Sequence, residues 1–209
     1  MPPEADQKAK SHWDGVYERR ASDSVSWYEP VPAHSLEFIA EARIPTTAPL
    51  IDIGAGASRL VDHLLDLGYL DLTVMDVSEK ALEVVRRRLG DRHGSVSFLR
   101  QDVTSFRPAR QYALWHDRAV FHFLTHPAAR NRYVDALTEA TAPGGSVVMA
   151  TFGPDGPPRC SNLAVSRYDA ASLAAELGDA FQVVRSIITT HVTPGGANQQ
   201  FLYALFTRR

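Results

Sequence analysis

One cysteine, Cys160, stands among 209 residues. That scarcity excludes an intramolecular disulfide and a thiolate metal cluster. No run of eighteen apolar residues occurs, which argues against a membrane-spanning helix, and the opening MPPEADQKAKSHWDG has no secretory apolar stretch. An excess of one charge is missing too. The 22 Lys and Arg face 24 Asp and Glu, a net charge of −2. Basic residues cluster only at Arg86, Arg87 and Arg88, so no electrostatic footprint for nucleic acid is present. Repeats and low-complexity blocks are absent as well. These absences predict a soluble cytoplasmic chain without nucleic-acid or membrane partners and without a metal centre, acting as a monomer or weak homodimer.

What is present suits one sizeable core, since 44% of the residues are hydrophobic. Short apolar or β-branched runs alternate with helical periodicity, the pattern of βαβ units around a parallel sheet. Candidate strands lie at 50–53, 72–75, 96–100, 112–115, 146–152, 181–191 and 199–207. Ser78 before EKALEVVRRRL, Pro127 opening PAARNRYVDALTEA and Asp169 before AASLAAEL mark helix starts. The turn-rich TPGGAN joins the last two strands as an antiparallel hairpin. An α/β fold follows, with seven strands, mostly parallel, helices on both faces and a C-terminal hairpin. Residues 1–44 form a helical prefix and 45–209 the sheet domain.

The first strand runs into a glycine turn, LIDIGAGASRL. A dinucleotide fingerprint would place its third glycine where Arg59 stands. Glycines between a strand and a helix can also serve the turn alone. Two acids add to this turn. Asp76 ends the second strand, where a carboxylate can accept from two ribose hydroxyls; helix capping is its alternative role, but Ser78 supplies a cap. Asp102 ends the third strand, as an adenine-amine acceptor or an ordinary turn acid.

In this order, Gly54, Gly56, Asp76, Asp102, LWHDRAVFHFL and APGGSVVMATF resemble a bacterial class I S-adenosylmethionine (SAM) methyltransferase, from about residue 11 to the end. The resemblance implies a Rossmann-like domain with SAM as methyl donor. It implies Asp52 and the amides of Gly54, Gly56 and Ser58 near the methionine portion, Asp76 and Val77 at the ribose, and Asp102 and Val103 at the adenine. Ser58 replaces the family's usual third glycine. The prefix HWDGVYERRASDSVSWYEP resembles the lid of small-molecule and thiol methyltransferases and of elongation-factor lysine methyltransferases. Tyr17, Trp27 and Tyr28 would then close over the cofactor, where aromatic faces suit a sulfonium, or simply pack the prefix onto the domain.

Methyl transfer needs positioning, and a proton acceptor only when the nucleophile arrives protonated. HDRAVFHFLTHP places His116, Asp117, His122 and His126 beyond the fourth strand, with His116 and Asp117 as catalytic candidates, Asp117 also beside the methionine group, and Arg118 at the substrate. His122 reads as a packed helix residue. In the loop GPDGPPRCSNLAVSRY, Arg159 and Tyr168 are candidate substrate contacts, and Cys160 reads as inert. If the sixth strand is parallel to the others, the hairpin turn lies at the ligand edge, bringing His191, Asn198 and Gln199 toward the acceptor, with His191 as a possible base. No Asn/Asp-Pro-Pro-Tyr/Phe motif follows the fourth strand, which argues against amide or nucleobase-amine methylation, and a single cysteine argues against arsenite. A small-molecule acceptor, thiol or otherwise soft, is the preferred expectation. A protein lysine methyltransferase and a non-catalytic SAM-binding module remain open.

Overall fold

The computed structural model describes residues 4–209. Two prefix helices, α1 (Glu4–Arg19) and α2 (Ala33–Glu41), precede β1 (Leu50–Ile53). The chain then runs through α3 (Leu60–Asp66), β2 (Leu72–Asp76), α4 (Glu79–Leu89), β3 (Val96–Arg100) and β4 (Tyr112–Arg118). Then come α5 (Pro127–Ala140), β5 (Thr141–Phe152), a small hairpin of β6 (Arg159–Cys160) and β7 (Leu163–Ala164), α6 (Ala170–Leu177), β8 (Phe181–Val192) and β9 (Asn198–Arg208). Seven strands form one sheet in the order β3-β2-β1-β4-β5-β9-β8. The first five run parallel, and β9 lies antiparallel between β5 and β8. The strand β8 is thus parallel to the first five, as the hairpin argument requires. No described helix is long and apolar enough to cross a membrane.

Strand alternation sends successive residues to opposite faces, and each face is buried under its own helices. Leu50, Leu114, Val148, Ala150 and Tyr203 pack with Phe38 and Ile39 of α2, Leu64 of α3 and Val85 of α4. Ile51, Ile53, Trp115, Met149 and Ala204 meet Tyr133 and Leu137 of α5 and Leu173 of α6. Helices therefore cover both faces, as expected.

Two boundaries differ from the hydropathy pattern. The fourth strand continues through His116, Asp117 and Arg118, which pair with Val148, Met149 and Ala150 of β5. These polar residues find partners inside the protein, so the strand outlasts its apolar run. Likewise β5 begins at Thr141: Tyr112 pairs with Thr141 and Leu114 with Ser146, so the APGG stretch bulges out between the two contacts. Positive φ at Gly144 accommodates the detour. The β6–β7 hairpin inside the 153–169 loop had no sequence signal; Ser161 and Asn162 make its turn in the left-handed region.

Candidate active site

The turn between β1 and α3 sits at the carboxyl edge of the sheet, where open α/β sheets bind ligands. Gly54 and Gly56 have φ of 57° and 55°, and contact as well as conformation demands glycine at each. A Cβ on Gly54 would overlap Val120 Cγ2, and one on Gly56 would overlap the Tyr17 hydroxyl. Arg88 of α4 grips the same turn. It donates to the Ala57 carbonyl at 2.9 Å and the Ser58 carbonyl at 2.6 Å, and it forms a fork with Asp62. Ser58 Oγ accepts from the Leu60 amide at 3.1 Å, opening α3. Ser58 therefore does local capping work where the family has glycine.

Asp76 lies beneath this turn. Its two oxygens accept from the Gly56 and Ser78 amides, both at 2.7 Å. Burial pushes its carboxyl up to about 6 despite those two donors, and the charges of Asp52 and Asp14 add to the rise. Each oxygen retains a lone pair, so two hydroxyl donors are what this carboxylate still lacks. Ser78 Oγ caps α4 through the Ala81 amide and also donates to Asp14 of α1 at 2.7 Å. Asp14 in turn pairs with Lys10. Through Asp14, the prefix helix is tied to the second βα connection. Burial and the Asp76 charge push the Tyr17 phenol upward, so it stays neutral. Asp102 accepts from the Thr104 amide and hydroxyl at 2.7 Å each, both through Oδ1, which leaves Oδ2 for a ligand.

Alternation along β4 separates the residues expected to act together. His116 and Arg118 point to the α2 face, Asp117 to the α5 face. His116 faces Asp52 across the β1–β4 pair: its Nδ1 lies 2.7 Å from Asp52 Oδ1, and its Nε2 lies 2.9 Å from Ser35 Oγ. Both ring nitrogens of His116 are therefore engaged by neighbouring side chains. Asp117 is fully buried and accepts from the Val120 and Phe121 amides and, at 2.6 Å, from Tyr133. Burial raises its carboxyl to about 6 against those donors. Asp117, expected beside the cofactor or substrate, is not among the residues lining the cavity; it holds the turn that sets Val120 against Gly54.

Arg118 is a clasp. Its Nε donates to Tyr203 at 2.9 Å, its Nη1 to the Trp27 carbonyl at 2.8 Å, and its Nη2 lies 3.0 Å from Glu29 Oε1. The guanidinium also stacks over Phe201, 5.0 Å from its centroid. His191 completes the clasp. Its Nε2 donates to the Ser26 carbonyl at 2.7 Å, and its Nδ1 lies 3.3 Å from Glu29 Oε1. Both ring nitrogens are thus engaged on the segment between α1 and α2, and His191, the candidate base, is not among the residues lining the cavity. Burial works to raise the Glu29 carboxyl, but the His191 hydrogen bond and the Arg118 charge outweigh it and hold it low.

One cavity of about 290 Å³ joins these parts. By the order of the strands that carry them, Asp102, Val103, Val77 and Asp76 line one end, the glycine turn the middle, and an aromatic part with Trp13, Trp27, Phe123, Phe152 and Phe201 the other end. Tyr17 and Tyr28 line it as well, as do Asp52, Ser58, His116, Arg118 and Gln199. The prefix thus forms a wall of the cavity and packs on the domain at once, with Trp13 edge-on to both Trp27 and Phe123. Arg159 and Tyr168 lie elsewhere. Alternation in β6 turns Cys160 inward and Arg159 to solvent, where it donates to the Asn162 carbonyl. Tyr168 is buried against Phe121 beneath the other face of the sheet. Burial pushes the Cys160 thiol up to about 11, consistent with an inert sulfhydryl. Among the described residues no acid, histidine or cysteine cluster could hold a metal ion.

Residues 50–145 match a family model described as a methyltransferase domain. Over that stretch, just under half of its length, the chain is similar to methyltransferase domains. Its fold is that of solved class I SAM methyltransferases. The N-methyltransferase NodS from Bradyrhizobium japonicum, bound to S-adenosylhomocysteine, superposes with a TM-score of 0.71 at 18% identity, over 94% of this chain and 98% of that one. The 1,6-didemethyltoxoflavin-N1-methyltransferase of Burkholderia thailandensis gives 0.73 at 20% identity, over 100% and 91%. In sequence, the mouse eEF1A lysine and N-terminal methyltransferase is 30% identical over 95 residues. That stretch is 44% of this chain and 13% of the mouse protein.

Arg88, Glu29, Asp14 and Ser35 had not been singled out from the sequence. Only Arg88 left a trace, as part of a basic triplet whose third member turns toward the glycine loop. Glu29 and Ser35 depend on contacts across the fold and carry no local signal.

Proposed function

We propose that this chain transfers the methyl group of SAM to a nucleophilic atom of a small molecule. The observation that carries the proposal is the single cavity joining the Asp76–Asp102 end to an aromatic chamber closed by the prefix. SAM, when bound, supplies a methyl group on a positively charged sulfur that departs as a neutral thioether. Asp76 would accept from the ribose hydroxyls, Asp102 Oδ2 and the Val103 amide would meet the adenine, and Asp52 with the glycine-turn amides would border the methionine portion. The rest is positioning and exclusion of water. Trp13, Tyr17 and Trp27 offer aromatic faces to a cation, and the Arg118–Glu29–His191 clasp holds their segment shut. His116 has both nitrogens engaged, so its part is to orient Asp52.

The small-molecule neighbours and the closed chamber support this acceptor class. One observation favours a protein lysine acceptor instead, namely the 30% identity to the mouse enzyme over 95 residues. Incubating the protein with methyl-labelled SAM against a metabolite extract and, separately, a protein lysate distinguishes the two. Label in small molecules is the expected result. Label confined to protein transfers the assignment to the lysine reading, and no label with SAM bound leaves a binding module.

A further inference from the structure

The chamber beyond the glycine turn holds unmet polar groups among its aromatic walls. Glu29 and Gln199 line the cavity, and Glu29 Oε2 and Gln199 Oε1 are buried without a hydrogen-bond donor; Arg118 Nη2, at ion-pair distance from Glu29 Oε1, likewise makes no hydrogen bond. They belong to one wall. Gln199 of β9 pairs with His191 of β8, and Glu29 reaches His191 and Arg118. Phe201, two residues along the same face of β9 from Gln199, carries the Arg118 guanidinium on its ring. A buried acceptor left without a donor is costly, so two in one wall of the cavity point to a ligand that can supply hydrogens there.

The chemistry of the wall restricts that ligand. Glu29 is ionised, since Arg118 and His191 hold it low, and Arg118 already balances its charge. A cationic acceptor would gain little there and would share the cavity with a sulfonium. Two acceptors call for two donors; a thiol offers one weak S–H, and a phenol a single O–H. The remaining walls are flat rings: Trp13, Trp27, Phe123, Phe152 and Phe201. Rings of this kind bind planar bodies by stacking.

Resting on the proposed methyltransferase activity, and contrary to what the missing Asn/Asp-Pro-Pro-Tyr/Phe motif suggested, we infer that the acceptor is a neutral, planar nitrogen heterocycle or arylamine, not a thiol, whose N–H edge donates to Glu29 and Gln199. Glu29 thereby has two parts, one oxygen fastening the lid and the other reading the acceptor. Acceptor binding and lid closure are then coupled through one carboxylate.

The test begins with calorimetric titration of S-adenosylhomocysteine. Its failure to bind would strike the methyltransferase reading itself; normal binding isolates the acceptor question. Labelled SAM is then offered with four defined panels: aminopyrimidines and fused bicyclic N–H heterocycles, their N,N-dimethyl or ring-N-methyl counterparts, aryl thiols and phenols, and a lysine peptide. The expected result is transfer to the first panel alone. For the best acceptor, Gln199→Leu should raise KM about tenfold or more with unchanged S-adenosylhomocysteine affinity, and Glu29→Gln should raise KM at least as much. Gln199→Leu guards against a misfolded Glu29 variant, because Gln199 Oε1 has no protein partner to lose. Transfer to thiols, phenols, blocked compounds or peptide without the N–H panel, no transfer to the N–H panel while S-adenosylhomocysteine binds, or unaltered KM in both variants would overturn the inference.

Discussion

Lowering the pH from 7 to 5 should weaken S-adenosylhomocysteine binding about tenfold, because Asp76 takes up a proton in the ligand-free protein. Burial places that carboxyl at about 6, with Asp14 of α1 and Asp52 of β1 pushing in the same direction. Two ribose hydroxyls donating to it would stabilise the charged form and return it toward the ordinary carboxylate value, 3.8. The sign follows from linkage. The ligand-free state binds the proton more tightly, so affinity is full above about pH 7 and falls as pH drops through 6. A shift of about two units corresponds to roughly 3 kcal/mol, reached only below pH 4; at pH 5 about half of it is expressed. Calorimetry at pH 6 in buffers of different ionisation enthalpy should register about half a proton released per ligand bound. Asp76→Asn should flatten the profile and, at pH 7, cost about ten- to a hundredfold in affinity through lost charge-assisted hydrogen bonds. Equal affinity at pH 5 and 7, with no proton release, would refute the ribose assignment.

Gly54→Ala should abolish cofactor binding and lower stability by about 2 kcal/mol or more, since its φ is 57° and its Cβ would overlap Val120; thermal unfolding of the variant checks it. Arg118→Lys keeps one charge but cannot reach Tyr203, the Trp27 carbonyl and Glu29 together, so tryptophan emission should shift toward that of an exposed lid and turnover should fall at least tenfold. Unchanged emission would show that the clasp does not hold the lid. Tyr133→Phe strips a donor from buried Asp117 and the acceptor for Trp115 Nε1, a loss of about 1 to 3 kcal/mol by chemical denaturation. Asp117 itself is raised to about 6, so the folded state holds a proton that the unfolded chain has released. Its contribution to stability should therefore decline as pH rises from about 4 to 6.

Alternation of strands and helices, the Gly54–Gly56 turn, the acids ending β2 and β3 and the closing hairpin were all legible from residue order, because each rests on local periodicity or local turn chemistry. Even the edge on which TPGGAN lies followed from strand direction alone. Roles along HDR could not be read that way. Whether His116, Asp117 or Arg118 meets the cavity depends on whether β4 continues past Trp115, since within a strand each residue points to the face opposite its predecessor. Three polar residues break the apolar run, and only their partners on other elements keep the strand going: Asp52 and Ser35 for His116, Tyr133 for Asp117, Tyr203 and Glu29 for Arg118. The same holds for His191 and Glu29, brought together from positions 162 residues apart in the chain. Local order sets which elements form and where the ligand edge lies; which side chains fasten the lid and which stay open to the acceptor is decided by packing between elements distant in sequence, where hydrogen bonds buried from water leave each polar group only the partners the fold supplies.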